Sequence, residues 1–206
     1  MLNVCIALLP ALVASTLIFG ARALLVTGVT VAACVGFEAL YCVVMKKPVP
    51  VGDFSAVVTG MILAFNLPAT IPLWIAIIGA FVAIVVAKQL FGGLGFNFAN
   101  PALLGRIVLF IGFAGRMTAY AFPQTDIDAL ASATPLVAGN SMAGKDMLLQ
   151  LLLGAHGGVL GETCAVALIL GGIYLIATKT ISAAIPLSYI GTVAVLSLVL
   201  GQDVVL

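Results

Sequence analysis

The chain has 206 residues, of which 64% are hydrophobic and 7% are charged, and its formal net charge is +1. An ordinary soluble domain carries about 25% charged residues, so this chain has too few charges to cover a surface in water. The near-neutral charge balance also excludes the basic footprint of a nucleic-acid-binding protein. We therefore predict an all-α polytopic membrane protein that forms a single transmembrane domain over residues 1–206 and whose surroundings are a lipid bilayer.

The first two predicted helices are long enough to cross a bilayer, whose hydrocarbon core of about 30 Å needs about 20 apolar residues. They cover Leu2–Phe19 and Ala23–Met45, and the second carries Glu38 inside its apolar run. The stretch 46–53 then ends the second helix, because it contains two prolines, a glycine and three charges.

The next three predicted segments are short or interrupted. They cover Phe54–Phe65, a stretch from about Ile71 to Lys88, and Ala102–Ala114, with glycine-rich residues 92–101 before the last. Irregular backbone at membrane depth is tolerated only where protein or a cavity covers it, and half-helices of this kind often build ligand or ion sites. We predict broken helices, as in the first part of an inverted-repeat transporter-like fold. The alternatives are surface loops and glycine-mediated helix packing.

The rest of the chain holds a long polar stretch and two further apolar segments. The polar stretch covers 115–146, and the segments cover Cys164–Ala177 and Pro186–Leu200. If the N-terminus is cytoplasmic, four lysines face the cytoplasm, Lys88 among them, against three basic residues outside. This count favours an extracytoplasmic loop at 115–146. Both ends of the sequence are abrupt, so we expect a piece of a longer protein, above all at the C-terminus.

A short motif within that loop carries the most chemical information. Residues 128–136 read DALASATPL. Proline holds the preceding Thr134 in an extended conformation, which exposes its hydroxyl. By composition alone this stretch is an ordinary loop. It resembles, however, the flavinylation motif of the NqrB/RnfD family of membrane subunits, in which the threonine carries FMN through a phosphoester bond.

Three other stretches agree with this resemblance. Residues 88–102 read KQLFGGLGFNFANPA and are similar to the family's glycine-rich signature, and residues 46–60 with 65–68 resemble its second helix-breaking stretch. Gly161-Glu162-Thr163 before an apolar helix also fits. The chain resembles RnfD more than NqrB, which usually has a longer polar N-terminal extension. One departure is Ala131-Ser132-Ala133-Thr134, where the family more often has Ser-Gly-Ala-Thr.

The resemblance implies a function. The chain would be the flavin-carrying membrane subunit of an ion-translocating ferredoxin:NAD oxidoreductase (Rnf) complex in a prokaryotic inner membrane. It would pass electrons through FMN on Thr134, in a context formed by Asp128, Ser132, Ala133 and Pro135, and couple them to Na⁺ or H⁺ transport. Ferredoxin and NAD would bind other membrane or peripheral subunits. The alternatives are an NqrB-type quinone-reductase subunit, a non-redox transporter or channel, and a structural scaffold.

Further candidate residues lie in the glycine-rich break and in the segment after it. The resemblance implies that Asn97 and Asn100 bind a second, non-covalent flavin (riboflavin); their alternative role is to cap broken-helix backbone. Arg106 is an embedded cation that needs a partner, which could be a flavin phosphate, Glu38 or backbone carbonyls.

The embedded carboxylates are ion-pathway candidates. Glu38 and Glu162 could bind Na⁺ through oxygen ligands or relay protons, since intramembrane ionisable groups are functional by default. For Glu162 the alternative is stabilisation by the positive end of a helix. His156 is a redox-linked proton site or a structural histidine. The sequence predicts no catalytic residue and no metal site.

Overall fold

The computed structural model describes residues 1–47, 51–120, 158–162 and 164–199. Within these ranges the regular secondary structure is helical and contains no β-strand. The helices are α1 (Leu2–Phe19), α2 (Ala21–Val44), α3 (Ser55–Phe65), α4 (Leu73–Phe81), α5 (Pro101–Gly112), α6 (Ala114–Met117), α7 (Ala165–Ala177) and α8 (Ala184–Val199). A π-helix, Val82–Gln89, continues α4 directly. The prediction of an all-helical membrane protein is confirmed.

The first two helices have the length and composition to cross a membrane. α1 has 18 residues and α2 has 24, which at a rise of about 1.5 Å per residue gives about 27 Å and about 36 Å. Gly20 joins them with a φ of 74°, a left-handed conformation that glycine adopts without steric cost. Their bounds agree with the predicted segments Leu2–Phe19 and Ala23–Met45 to within two residues.

The short helix α3 packs closely on the long helix α2. A Cβ atom at Gly60 of α3 would lie 2.8 Å from the Cα atom of Val31 in α2, so only glycine allows this approach. Buried side chains of the π-helix and α5 complete this part of the core, which includes Leu63, Ile84 and Ala102. The prediction that the segment Phe54–Phe65 is short is confirmed, because the 11 residues of α3 are too few to cross a bilayer upright.

Contacts between helix ends define the two ends of the bundle. Arg22, at the start of α2, donates hydrogen bonds to the carbonyl oxygens of Ala69 and Ile71 just before α4 (3.4 Å each). Near the other end of α2, Glu38 contacts Lys88 of the π-helix. The break after α2, which carries Lys46 and Lys47, and the glycine-rich break after the π-helix therefore lie at the same end. Lys88 itself is buried, so counting it as a cytoplasmic loop charge was wrong.

The backbone at the end of α3 and the backbone before α7 are joined by hydrogen bonds inside the bundle. The N–H groups of Leu160 and Gly161 donate to the carbonyl oxygens of Leu67 and Phe65, at 3.0 and 2.9 Å. Leu67, Phe65 and Leu160 are buried. At this position protein covers the irregular backbone, as a lipid environment requires.

The last helix, α8, differs from the others in having no buried residue. Its large apolar side chains are exposed, including Ile185 (73%) and Val199 (76%). An apolar helix that buries no residue on the described part of the chain is suited to contact with lipid or with another protein.

Candidate functional site

A fully buried charged cluster joins α2, α3 and the π-helix. The Lys88 Nζ atom lies 2.5 Å from Oε1 of Glu38, and the two side chains are 2% and 0% exposed. Lys88 also donates to the hydroxyl of Ser55 (2.6 Å), and Gln89 Nε2 donates to the same Glu38 Oε1 atom (2.7 Å). Two opposite charges are thus held together away from water, with hydrogen bonds that partly offset the cost of their desolvation.

Local backbone features bring these side chains together. A π-helix has more residues per turn than an α-helix, so successive residues are separated by a smaller angle. Lys88 and Gln89 can therefore both reach Glu38 although they are neighbours in sequence. On the third side, Asp53 Oδ1 accepts hydrogen bonds from the Ser55 amide (2.7 Å) and the Ser55 hydroxyl (2.6 Å). Asp53 thereby orients the hydroxyl that faces Lys88.

The hydrogen bonding of the Glu38 carboxylate is one-sided. Its Oε1 atom accepts hydrogen bonds from both the Lys88 ammonium and the Gln89 amide. Its buried Oε2 atom has no hydrogen-bond partner among the described residues. Buried polar atoms in native proteins are nearly always paired, so an unpaired carboxylate oxygen marks a place for a further donor or a cation.

Sequence reasoning placed Glu38 correctly inside the bundle but missed its partner. Lys88 stands at the end of an apolar segment, where a lysine usually reaches into solvent. The available signal was the embedded carboxylate itself, because a buried charge needs an opposite charge, and Lys88 is the basic residue at the end of the neighbouring helix.

A second polar site lies at the other end of α3, beside a cavity of about 420 Å³. Arg106 Nη1 donates to Asn66 Oδ1 (2.9 Å), and Asn66 Nδ2 donates to the carbonyl oxygen of Ile62 (2.8 Å). Asn66, Arg106 and Glu162 form the polar part of the cavity wall, with an apolar part that includes Ile62 and Leu168. A cavity whose wall combines charged and apolar side chains fits an amphipathic ligand.

This second site brings together two of the predicted residues, Arg106 and Glu162. Arg106 is half-buried and Glu162 is exposed. The partner of Arg106 is Asn66, which was not among the partners expected for it; Glu38 pairs with Lys88 instead. Glu162 lies just before α7, whose N-cap residue Cys164 makes no side-chain cap hydrogen bond. The two carboxylates predicted for an ion pathway therefore belong to different sites.

The predicted flavin-binding asparagines have local contacts and free hydrogen-bonding capacity. When the Asn97 amide is oriented by its hydrogen bonding, its nitrogen donates to the carbonyl oxygens of Lys88 and Gly93, at 3.3 and 3.1 Å. Asn100 Oδ1 accepts from the Ala102 amide (3.0 Å) and caps α5. The oxygen of Asn97 and the nitrogen of Asn100 remain available on the described part of the chain, so both asparagines can brace the backbone and still contact a ligand.

The predicted attachment site lies outside the described residues. This applies to the whole motif and to the lone histidine, namely Asp128, Ser132, Ala133, Thr134, Pro135 and His156. Their roles remain predictions from the sequence.

Interrupted helices and a buried charge pair in an apolar bundle define a polytopic, all-helical membrane protein. The profile of the NQR2, RnfD, RnfE family matches residues 1–205. The chain belongs to this family.

Curated relatives are similar over nearly the whole chain. One from Acetobacterium woodii, named as a subunit of the Na(+)-translocating ferredoxin:NAD(+) oxidoreductase complex, is 44% identical over 98% of this chain and 65% of its own length. A second, from the proton-translocating ferredoxin:NAD(+) oxidoreductase complex of Clostridium ljungdahlii, is 39% identical (98% and 64%). A third, from an ion-translocating oxidoreductase complex of Stutzerimonas stutzeri, is 36% identical (98% and 66%). The chain thus spans slightly less than two thirds of the length of these relatives.

Proposed function

We propose that this chain is the flavin-carrying membrane subunit of an ion-translocating ferredoxin:NAD oxidoreductase complex. It would be part of a redox-driven translocase and inactive alone, in a multi-pass arrangement in a prokaryotic inner membrane. The observation that carries this proposal is the family match over residues 1–205 together with relatives whose names state that activity. Those relatives are named for Na⁺ and for protons respectively, so the transported ion is left open between the two.

Within this proposal, FMN is attached to the hydroxyl of Thr134. The support is the motif DALASATPL at residues 128–136, with Asp128 upstream and Ser132, Ala133 and Pro135 beside the acceptor. A bound flavin supplies one-electron chemistry, while the protein fixes its position and tunes its potential.

A second, non-covalent flavin such as riboflavin is proposed at the glycine-rich break. The free ends of the Asn97 and Asn100 amides offer one acceptor and one donor, the pair that the polar edge of a flavin ring needs. Riboflavin carries no anionic group, so Arg106 is a separate candidate: its half-buried guanidinium, which makes one hydrogen bond among the described residues, is available beside the 420 Å³ cavity for a flavin phosphate.

The partners of the chain would be lipid and the other subunits of the complex. The support is the exposed apolar surface of α8, which buries no residue on the described part of the chain. Glu38 and Glu162 are proposed to lie on the ion pathway, with Glu38 as the buried carboxylate and Glu162 at a cavity wall.

The test of the flavin is covalent attachment in protein from its native host. We expect the band of this chain on a denaturing gel to fluoresce under ultraviolet light, and the peptide containing Thr134 to carry the added mass of FMN. Thr134→Ala should abolish both signals, whereas Thr125→Ala, in the same polar stretch of sequence, should leave them unchanged. A dark band and an unmodified peptide from native membranes would favour a non-redox transporter or channel.

Electron transfer in the assembled complex separates the remaining alternatives. Thr134→Ala should abolish ferredoxin-dependent NAD reduction; retention of that activity would indicate a structural scaffold. Reduction of quinone in place of the ferredoxin–NAD couple would indicate an NqrB-type subunit.

A further inference from the structure

The cation bound by the Glu38 carboxylate is a side chain of the protein itself, the ammonium of Lys88. The Lys88 ammonium lies between two oxygen atoms, Glu38 Oε1 at 2.5 Å and the Ser55 hydroxyl at 2.6 Å. Carboxylate and hydroxyl oxygens are the ligand types that hard metal cations such as Na⁺ prefer. The ammonium therefore occupies a position whose ligands suit a small monovalent cation.

The unused carboxylate oxygen shows that the cluster has more capacity for cations than Lys88 fills. Glu38 Oε2 is buried and has no partner on the described part of the chain. An ionised carboxylate offers about four acceptor positions, and the two donors here both use Oε1. A pair whose only role is structural gains nothing from a buried, unpaired oxygen, which costs free energy.

The side chain and its backbone allow the ammonium to leave. Lysine carries its charge on a flexible four-carbon chain. Lys88 belongs to a π-helix, a form that is rare and frequent at functional sites. That helix ends one residue later, before Gly92, Gly93 and Gly95, whose φ values of 111°, 94° and 91° stop any helix. Withdrawing Lys88 thus requires moving one terminal turn and leaves α2 and α3 in place.

We propose that Lys88 is a tethered cation that occupies the binding position at Glu38 and excludes Na⁺ until the end of the π-helix moves. This proposal rests on the proposed place of Glu38 in the ion pathway. It adds that the Lys88 ammonium blocks the pathway at Glu38. Ser55, oriented by Asp53, and the free Oε2 atom of Glu38 are the oxygen ligands that an incoming cation would take when the ammonium is withdrawn.

The test removes the tethered cation and asks whether Na⁺ replaces it. The assembled complex with Lys88→Ala is melted in equimolar NaCl or KCl, with unfolding of this chain as the readout. The vacated space and the uncompensated Glu38 should bind Na⁺, raising the Tm in NaCl by about 3 °C over KCl. The matched double variant Glu38→Gln with Lys88→Ala has the same space without the negative charge, so its two melting temperatures should agree.

Two results would overturn the proposal. One is a folded Lys88→Ala complex whose melting temperature is the same in NaCl and KCl. The other is a wild-type complex with a Na⁺-specific stabilisation that Glu38→Gln abolishes, because Lys88 would then not exclude the ion. If Lys88→Ala fails to assemble, Lys88→Ser replaces it, since its small side chain also removes the charge and leaves the position between Glu38 and Ser55 open. The same criterion applies to that variant.

This readout is independent of the flavin. Loss of FMN from Thr134 would overturn the proposed function, yet it would leave the comparison of NaCl with KCl unchanged. Conversely, a failed Na⁺ comparison in a complex that still carries FMN would remove Lys88 as the closing device and leave the electron-carrier proposal standing.

Discussion

The two ends of α3 lie beside charged side chains that are accommodated in opposite ways. At its start, Ser55 lies in a cluster where Glu38 and Lys88 neutralise each other and are 0% and 2% exposed. At its end, Asn66 binds the half-buried Arg106, whose charge faces a cavity of about 420 Å³. One helix of 11 residues thus separates a sealed charge pair from an open charged wall.

This difference separates charges that hold helices together, Glu38 and Lys88, from a charge that is available for a ligand, Arg106. The buried pair is compensated within the protein, so breaking one partner leaves an isolated charge in an apolar bundle. Arg106 has five N–H donors and uses one of them on the described part of the chain, so it retains capacity for another partner. The same substitution, loss of one charge, should therefore cost much more at the first end than at the second.

The largest effect is expected from Glu38→Leu. It leaves the Lys88 ammonium buried without its partner, which should lower the free energy of unfolding by about 3–5 kcal/mol. Thermal unfolding of the assembled complex in detergent measures it. The double variant Glu38→Leu with Lys88→Met should recover most of the loss, because an apolar pair of similar size replaces a buried ion pair at little cost. A double variant as unstable as the single one would contradict the compensated-pair account.

A smaller effect is expected where the break before α7 meets the end of α3. A Cβ atom at Gly161 would overlap the Cβ atom of Phe65, so Gly161→Ala must displace the hydrogen-bonded backbone. We expect a loss of about 1–3 kcal/mol from this overpacking. Gly172→Ala in α7 is the matched control, since its added Cβ meets no atom within 4 Å. Equal stability of the two variants would show that the two breaks are not packed as described.

Arg106→Leu should cost less than Glu38→Leu. The change removes one charge-assisted hydrogen bond to Asn66, but Arg106 is half-buried, so water compensates part of the loss and about 1 kcal/mol is expected. The measurement is the same unfolding experiment. A loss as large as that of Glu38→Leu would abolish the distinction between a sealed end and an open end. Arg106→Lys separates charge from geometry, because a lysine keeps the charge but not the planar fork.

The sequence predicted the local parts of this fold and missed the long-range ones. The bounds of α1 and α2 follow from the length of apolar runs, and the breaks after α2 and before α5 follow from proline and glycine. The partners of Glu38 and Arg106 are 50 and 40 residues away, at Lys88 and Asn66, and no periodicity connects residues so far apart.

The π-helix could not be predicted for a related reason. Residues 82–89 read VAIVVAKQ, an apolar run that suits an α-helix equally well. The wider π turn is favoured by a contact with another helix. It places both Lys88 and Gln89 within hydrogen-bond distance of the Glu38 carboxylate in α2. The candidate site was therefore predictable as single embedded charges, and its assembly into a sealed pair and an open wall required the packed structure.

The smallest effect on stability is expected for Asn100→Asp, and comparing it with Asn100→Ala separates two roles of one side chain. Asn100→Ala removes the cap on α5, which should cost about 1 kcal/mol, whereas Asn100→Asp keeps an oxygen that accepts from the Ala102 amide and should cost almost nothing. The aspartate lacks the amide nitrogen, however, so a flavin that needs this donor would be lost from both variants. Non-covalent flavin released on denaturing the complex gives the second readout. Full flavin content in Asn100→Asp would restrict Asn100 to capping and leave Asn97 as the remaining candidate in the glycine-rich break.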